Sequence, residues 1–272
     1  MRANSRLSLA REGLSRWVGT AWRLGIRPFV SRSLDLLLPP SCAWCGVAGV
    51  GSDPLFCADC LRQFTAMLPE RRRCEQCAAP LRSVGPVPLP CPYCTRRTYR
   101  FERAWVLGDY RGALREAVVK MKQAVHEPLT LQMGRLVGQR LAAEGWAEGC
   151  EFVVALPAHW WRRWTRGTSG PELLAEQVAR QLQLPLLRRV LHCRRPTKKQ
   201  GTLSPHQRWL NVHNAFATHR SRALQGARVL LIDDVLTTGA TVNEATRALL
   251  DGGARQVDIV VVARGLGDTA KS

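Results

Sequence analysis

Residues 229–241 read Val-Leu-Leu-Ile-Asp-Asp-Val-Leu-Thr-Thr-Gly-Ala-Thr, and no other stretch narrows the possible folds as far. Val229–Ile232 is too short and too uniformly apolar for a surface helix, and it fits a strand buried on both faces. Asp233 and Asp234 are expected where that strand ends. In open α/β sheets ligands bind just outside the carboxyl ends of strands, and a carboxylate there can accept hydrogen bonds from adjacent hydroxyls. The loop 235–240 leads into a helix expected to begin near Thr241, whose N-terminus offers unpaired amides and partial positive charge to a phosphate. Thr237, Thr238 and Thr241 add hydroxyls, Ala240 adds a small side chain, and Gly239 permits close backbone approach. A lone Asp-Asp or Thr-Gly would describe an ordinary turn; the whole ordered string points to a phosphate site.

The other strong constraint is the cysteine block. Eight of the ten cysteines form four C-x-x-C pairs: Cys42/Cys45, Cys57/Cys60, Cys74/Cys77 and Cys91/Cys94. No uninterrupted apolar segment follows the arginine-rich N-terminus, and no run approaches the roughly 20 apolar residues of a membrane span, so a cytoplasmic location is expected. Disulfides are rare there, and the four knuckles read as two tetrahedral thiolate sites for two structural Zn²⁺, with an iron–sulfur cluster as the alternative chemistry. Pro80, Gly85, Pro86, Pro88, Pro90 and Pro92 leave this segment little core of its own, so metal would staple it. Pairing the knuckles in sequence gives one ribbon over 42–60 and another over 74–94, while spacing leaves a cross-braced arrangement open.

Charge bears on the partner. With 40 Lys and Arg against 21 Asp and Glu, the chain carries +19, which favours anionic ligands without choosing among them. From Gln177 to Ile232 there is no acid at all. Residues 160–166 interleave Trp160, Trp161 and Trp164 with Arg162, Arg163 and Arg166. Such a stretch is either a stacking and phosphate surface for single-stranded nucleic acid or a helix with its tryptophans turned inward. Residues 1–33 form a basic extension that is either an amphipathic contact segment or a leader.

From about residue 101 the pattern turns globular. Strands are expected at 104–109, 152–156, 186–192 and 255–263, and helices at 112–122, 129–145 and 172–182. That alternation predicts an α/β, Rossmann-like core with a mostly parallel sheet over 101–272, preceded by a small zinc-ribbon domain over 34–100.

Taken together, the chain resembles the ComF family of competence-associated proteins, and its 233–241 loop resembles the ribose-phosphate loop of type I phosphoribosyltransferases. The likeness rests on Leu36-Leu37-Leu38-Pro39-Pro40-Ser41-Cys42, Asp109-Tyr110-Arg111-Gly112-Ala113-Leu114-Arg115, Lys120-Met121-Lys122, Arg166-Gly167 with Glu172-Leu173-Leu174-Ala175, Lys199-Gln200, Arg208 with Asn211, and Ala215-Phe216. The resemblance implies a ligand, phosphoribosyl pyrophosphate (PRPP) or a nucleotide 5′-monophosphate, with Mg²⁺ carried on PRPP. Asp233 and Asp234 would hold the ribose hydroxyls and serve as candidate catalytic residues, and Thr237–Thr241 would hold the 5′-phosphate. Pro157, Ala158 and Arg166 would face the pyrophosphate. Lys122, Lys199 and Arg208, with Trp160, Trp161, Arg162 and Arg163, are the candidate anion or nucleic-acid contacts. The implied role is DNA uptake in natural transformation or the use of imported DNA, with single-stranded DNA and membrane uptake machinery as partners, in the cytoplasm or at the inner face of the membrane. A nucleobase-salvage phosphoribosyltransferase and a non-catalytic nucleic-acid module on the same scaffold are the competing readings. Where the family usually has Phe-Asn-Gln after Arg166-Gly167, this chain has Thr168-Ser169-Gly170, a change on the pyrophosphate side that bears on turnover.

Overall fold

The computed structural model describes residues 41–48, 56–65, 72–81, 90–95, 97–157, 170–198, 203–219 and 221–266. The basic extension, Ala158–Ser169 and Lys199 lie outside the described residues. The chain divides into two compact units, Met1–Cys57 and Ala58–Ser272.

In the first unit, Ser41 and Ala48 form an antiparallel bridge around a C-x-x-C turn. The Cys42 amide donates to Val47 O at 2.9 Å and the Gly46 amide to Cys42 O at 2.8 Å. The second unit repeats the device at Arg73 and Pro80, with Cys74 N to Ala79 O at 2.9 Å and Ala78 N to Cys74 O at 2.8 Å. The equivalent turn positions, Gly46 and Ala78, both have positive φ (76° and 55°). Chain reversal over so few residues requires the left-handed region, and Ala78 carries the steric cost that Gly46 avoids.

The second unit opens with helix α1 (Ala58–Thr65) and is built on four parallel strands: β1 (Ala104–Asp109), β2 (Phe152–Ala155), β5 (Arg228–Leu236) and β6 (Gln256–Arg264). Their spatial order is β1-β6-β5-β2. The strands read as apolar runs because both faces are covered. Val229, Leu231, Val257, Ile259 and Val261 join one core cluster with Val242, Ala245 and Leu249 of helix α6 (Ala240–Asp251). Ile232, Val260 and Val262 face Val137 of helix α3 (Glu127–Ala143) and Leu174 and Val178 of helix α4 (Gly170–Leu182). Helix α2 (Gly112–Met121) follows β1 and buries Leu114, Ala117, Val118 and Met121.

Three differences from the sequence expectation have local causes. Residues 186–192 do not form one strand: Leu186 makes a single parallel bridge to Val153, and Arg189 then takes a positive φ of 62°. The strand proper, β3 (Leu191–Cys193), pairs antiparallel with β4 (Phe216–Thr218), and helix α5 (Pro205–Val212) lies between them in sequence. Strand β5 also runs past the two aspartates to Leu236. Its pairing with β2 stops at Ile232, whereas pairing with β6 continues to Leu236 opposite Arg264. The acids therefore occupy the half-open end of a strand that is still held along its other edge. Helix α6 starts at Ala240, one residue before the expected Thr241, because Gly239 takes the capping position at φ 80°.

At the opposite end of the sheet, Asp258 is fully buried. It accepts from Arg228 Nη2 at 2.7 Å and Arg103 Nε at 3.1 Å, so its charge is compensated where water is absent. No helix among the described residues is long and apolar enough to cross a membrane.

Helices α3 and α4 meet through glycines. A Cβ on Gly138 would lie 2.7 Å from Gln181 Cβ and 3.2 Å from Val178 Cα. Gly138→Ala is expected to lower the unfolding free energy by roughly 1–3 kcal/mol through overpacking. That loss should outweigh the ~1 kcal/mol gain in helix propensity, and urea denaturation of both proteins checks it.

Candidate functional site

The site forms where β5 passes the end of β2. The Leu156 amide donates to Ile232 O at 2.9 Å, and Pro157 follows directly. Asp233 is buried and Asp234 is partly exposed. The Asp234 amide donates to Asp233 Oδ1 at 2.8 Å, which fixes the first carboxylate. Lys122, the C-terminal cap of α2, brings its Nζ to 3.4 Å from Asp234 Oδ2. Burial pushes the Asp233 carboxyl well above the ordinary carboxylate range, and the charge of Asp234 adds to the rise. The Asp234 amide and the Lys122 ammonium act against it. An acidic pair with one buried member and one ion-paired member suits neighbouring sugar hydroxyls, which both donate and accept.

Thr237 and Thr238 are half-buried beyond the strand, Gly239 and Ala240 are buried, and Thr241 is half-buried in the first turn of α6. The Asn243 amide donates to Gly239 O at 2.8 Å, closing that first turn. Thr238 Oγ1 accepts from the Ala240 amide at 3.4 Å. Of the other sequence candidates, Arg208 lies on α5 and donates Nε to Leu203 O at 3.0 Å. Ala158, Trp160, Trp161, Arg162, Arg163, Arg166 and Lys199 lie outside the described residues.

Three residues absent from the sequence reading build the underside of the loop. Arg264 at the end of β6 is 1% exposed. Its Nη1 donates to the carbonyls of Leu236 (2.8 Å), Thr237 and Gly265, and its Nε donates to Cys77 O at 2.9 Å. The Tyr99 hydroxyl donates to Thr238 O at 3.2 Å, and the Arg100 amide donates to Asn243 Oδ1 at 2.7 Å. The one sequence signal for this brace was an arginine closing the apolar run Val260-Val261-Val262-Ala263, a weak cue by itself.

The cysteines assemble in sequence order. The Sγ atoms of Cys42, Cys45, Cys57 and Cys60 lie within 4.8 Å of one another, and so do those of Cys74, Cys77, Cys91 and Cys94. Four thiolates about 2.3 Å from one zinc lie about 3.8 Å apart. The observed separations are 3.7 Å for Cys45–Cys57, 3.6 Å for Cys74–Cys94 and 3.5 Å for Cys77–Cys91. Burial pushes the Cys77 thiol up to about 11. At Cys42 burial also acts upward, but amides of Cys45, Cys57 and Trp44 outweigh it and bring the thiol down to about 6. Sulfurs this close ionise together only around a cation, so both clusters fit a tetrahedral metal, consistent with two structural zinc sites.

Comparison with known proteins gives two domain matches: residues 33–97 match the double zinc ribbon domain, and residues 168–272 match the phosphoribosyl transferase domain. The chain is 29% identical over 213 residues to the DNA utilization protein YhgH of Salmonella typhi, covering 77% of this chain and 89% of that protein. It is 34% identical over 115 residues to Competence protein F of Haemophilus influenzae, covering 42% of this chain and 50% of that protein. It is 38% identical over 97 residues to HGPRTase-like protein 2 of Haloterrigena turkmenica, covering 36% of this chain and 51% of that protein.

The raised Asp233 carboxyl sets a pH dependence. A carboxyl raised by folding costs stability once ionised. That cost enters as pH climbs past the unfolded value near ~4 and is complete above the folded value. Asp233→Asn, which stays neutral and keeps an acceptor for the Asp234 amide, should therefore be more stable than wild type at neutral pH. The difference should vanish below about pH 4, as read by denaturant unfolding across pH without ligand.

Proposed function

This chain belongs to the ComF/YhgH family, in which a double zinc ribbon precedes a phosphoribosyltransferase domain, and we propose that it binds PRPP or a nucleotide 5′-monophosphate while acting in DNA uptake or the use of imported DNA. The observation that carries the reading is the junction of β5 and α6. There the acid pair, Lys122 and the Gly239-capped helix start lie on consecutive or directly contacting elements. Asp233 and Asp234 take the ribose hydroxyls. The Thr237–Thr241 segment takes the 5′-phosphate through amides and hydroxyls. Pro157, Ala158 and Arg166 are the candidates for the pyrophosphate side, and Mg²⁺ arrives on the PRPP oxygens, as it does on substrate phosphates elsewhere. Each ribbon holds one Zn²⁺ in a closed Cys₄ shell, leaving no open coordination position for chemistry.

If transfer occurs, an acceptor nucleophile bonds to ribose C1 as the C1–O bond breaks and its electron pair leaves on pyrophosphate, with positive charge developing on the sugar ring in between. Carboxylates beside the ribose oppose that charge, and cations on the pyrophosphate side stabilise the leaving group. Lys122 already sits at the acid pair. Lys199 and Arg208 are the further candidates for that work.

Single-stranded DNA is the proposed macromolecular partner. Arg189, Arg194, Lys198 and Arg222 are exposed within the acid-free run, and Arg188 pairs with Glu176 just before it, so the run offers cations with no carboxylates between them in sequence. Such a face tracks phosphates without reading bases. The charged run favours this partner over the salvage reading, since a free base needs no extended basic face.

Calorimetry with PRPP–Mg²⁺ tests the ligand. Wild type should give saturable heat, and Asp233→Asn/Asp234→Asn should weaken binding at least tenfold; no heat from wild type overturns the reading. Binding to single-stranded DNA should fall steeply and log-linearly with salt concentration. Base-dependent release of pyrophosphate would instead favour the salvage enzyme. Metal analysis should find two zinc per chain, one for each Cys₄ cluster.

A further inference from the structure

We infer that Arg264 and Tyr99 are positioning residues that aim the Thr237, Thr238 and Gly239 amides at bound phosphate, and that the second Cys₄ site is the fixed point from which they do so. The phosphate half of this inference rests on the ribose-phosphate reading above; the dependence of loop order on the ribbon does not.

The carbonyls of three successive residues are tied on one side of the loop. Arg264 Nη1 takes Leu236 O and Thr237 O, and the Tyr99 hydroxyl takes Thr238 O. In a planar trans peptide the N–H of the next residue points opposite to the carbonyl. Fixing these three carbonyls therefore directs the amides of Thr237, Thr238 and Gly239 away from Arg264 and Tyr99. Among the described residues those three amides donate to no protein acceptor. Successive amides held to one side of a turn at a helix start form a concavity for an anion.

The brace is anchored in the ribbon. Arg264 Nε donates to the carbonyl of Cys77, a metal ligand, and the guanidinium lies 5.4 Å from the ring of Tyr93, between ligands Cys91 and Cys94. Tyr99 follows the last ligand closely in sequence. Its ring supports Gly239 so tightly that a Cβ there would come within 2.6 Å of Cε1. Among the described residues, every hydrogen-bond partner of the Arg264 side chain is a neutral carbonyl, although the side chain is buried. A buried cation without counter-charge is costly. Four thiolates around one divalent ion leave a net double negative charge on the ribbon side, and Arg264 reaches that side through the Cys77 carbonyl. The filled metal site thus offsets the burial of Arg264, and Arg264 in turn shapes the loop.

The test uses the full-length zinc-loaded protein and backbone ¹⁵N relaxation without ligand. In wild type, residues 237–239 should show order parameters near the rigid value of about 0.85. Arg264→Met, with both zinc ions retained, should drop them below about 0.6 and weaken PRPP–Mg²⁺ binding at least tenfold. Tyr99→Phe should loosen Thr238 and Gly239 alone. Chelating the second site in wild type should disorder the loop before the sheet. Loop order equal to wild type in a folded Arg264→Met protein overturns the inference. Should that variant not fold, unchanged order at Thr238 and Gly239 in Tyr99→Phe overturns it equally. Wild type that shows an ordered, Arg264-dependent loop but no PRPP heat sinks the ligand reading and leaves the brace standing.

Discussion

One guanidinium ties the molecule's two chemistries together. Arg264 is buried at the end of β6 and bonds the knuckle carbonyl of Cys77 on one side and the Leu236 and Thr237 carbonyls on the other. A planar group with several donors in a fixed fork can hold several carbonyls at once, which a lysine cannot. The consequence is that the second ribbon is not a detachable module. Cys77, Ala78 and Ala79 join the same apolar cluster as strands β5 and β6. Arg73 pairs with Asp109 at the end of β1 at 2.8 Å, and the Ala104 amide donates to Glu75 O at 3.1 Å. The knuckle thus contacts both ends of β1, the edge strand of the sheet.

The two ends of the sheet use charge in opposite ways. At one end, Asp258 is fully buried but held by two arginines, an arrangement that fixes strands β5 and β6 together. At the other, Asp233 is buried beside a second carboxylate, and Lys122, which acts on it, is paired to that neighbour. The first arrangement is satisfied without a ligand. In the second, burial and the neighbouring carboxylate both disfavour the ionised form of Asp233, and such perturbation is typical of functional positions.

The chemistry-bearing residues were legible in the sequence because they are local. An apolar run, two acids and a Thr-Gly loop are contiguous, and C-x-x-C spacing is a property of a single turn. The strands at 104–109 and 152–156 and helices α2 to α4 were legible for the same reason, since periodicity is short-range. The β3–β4 hairpin was not, because its two strands are three residues each and an intervening helix separates them. Arg264 and Tyr99 were invisible as site residues: their partners lie 28 and 139 positions away, and nothing local distinguishes a bracing arginine from a solvated one.

The sequence by itself determined the candidate groups: the acid pair, the Thr-Thr-Gly loop, eight thiols in four knuckles and a long cationic run. Only the tertiary structure decided how they are joined. It grouped the knuckles in sequence order instead of cross-bracing them. It ended the β2 pairing at Ile232 so that the acids face an open edge. It also set a ribbon carbonyl against a buried arginine beneath the loop. The physical reason is range: donor type and spacing are written in neighbouring residues, whereas burial, counter-charge and the aim of a peptide plane arise only when distant segments pack.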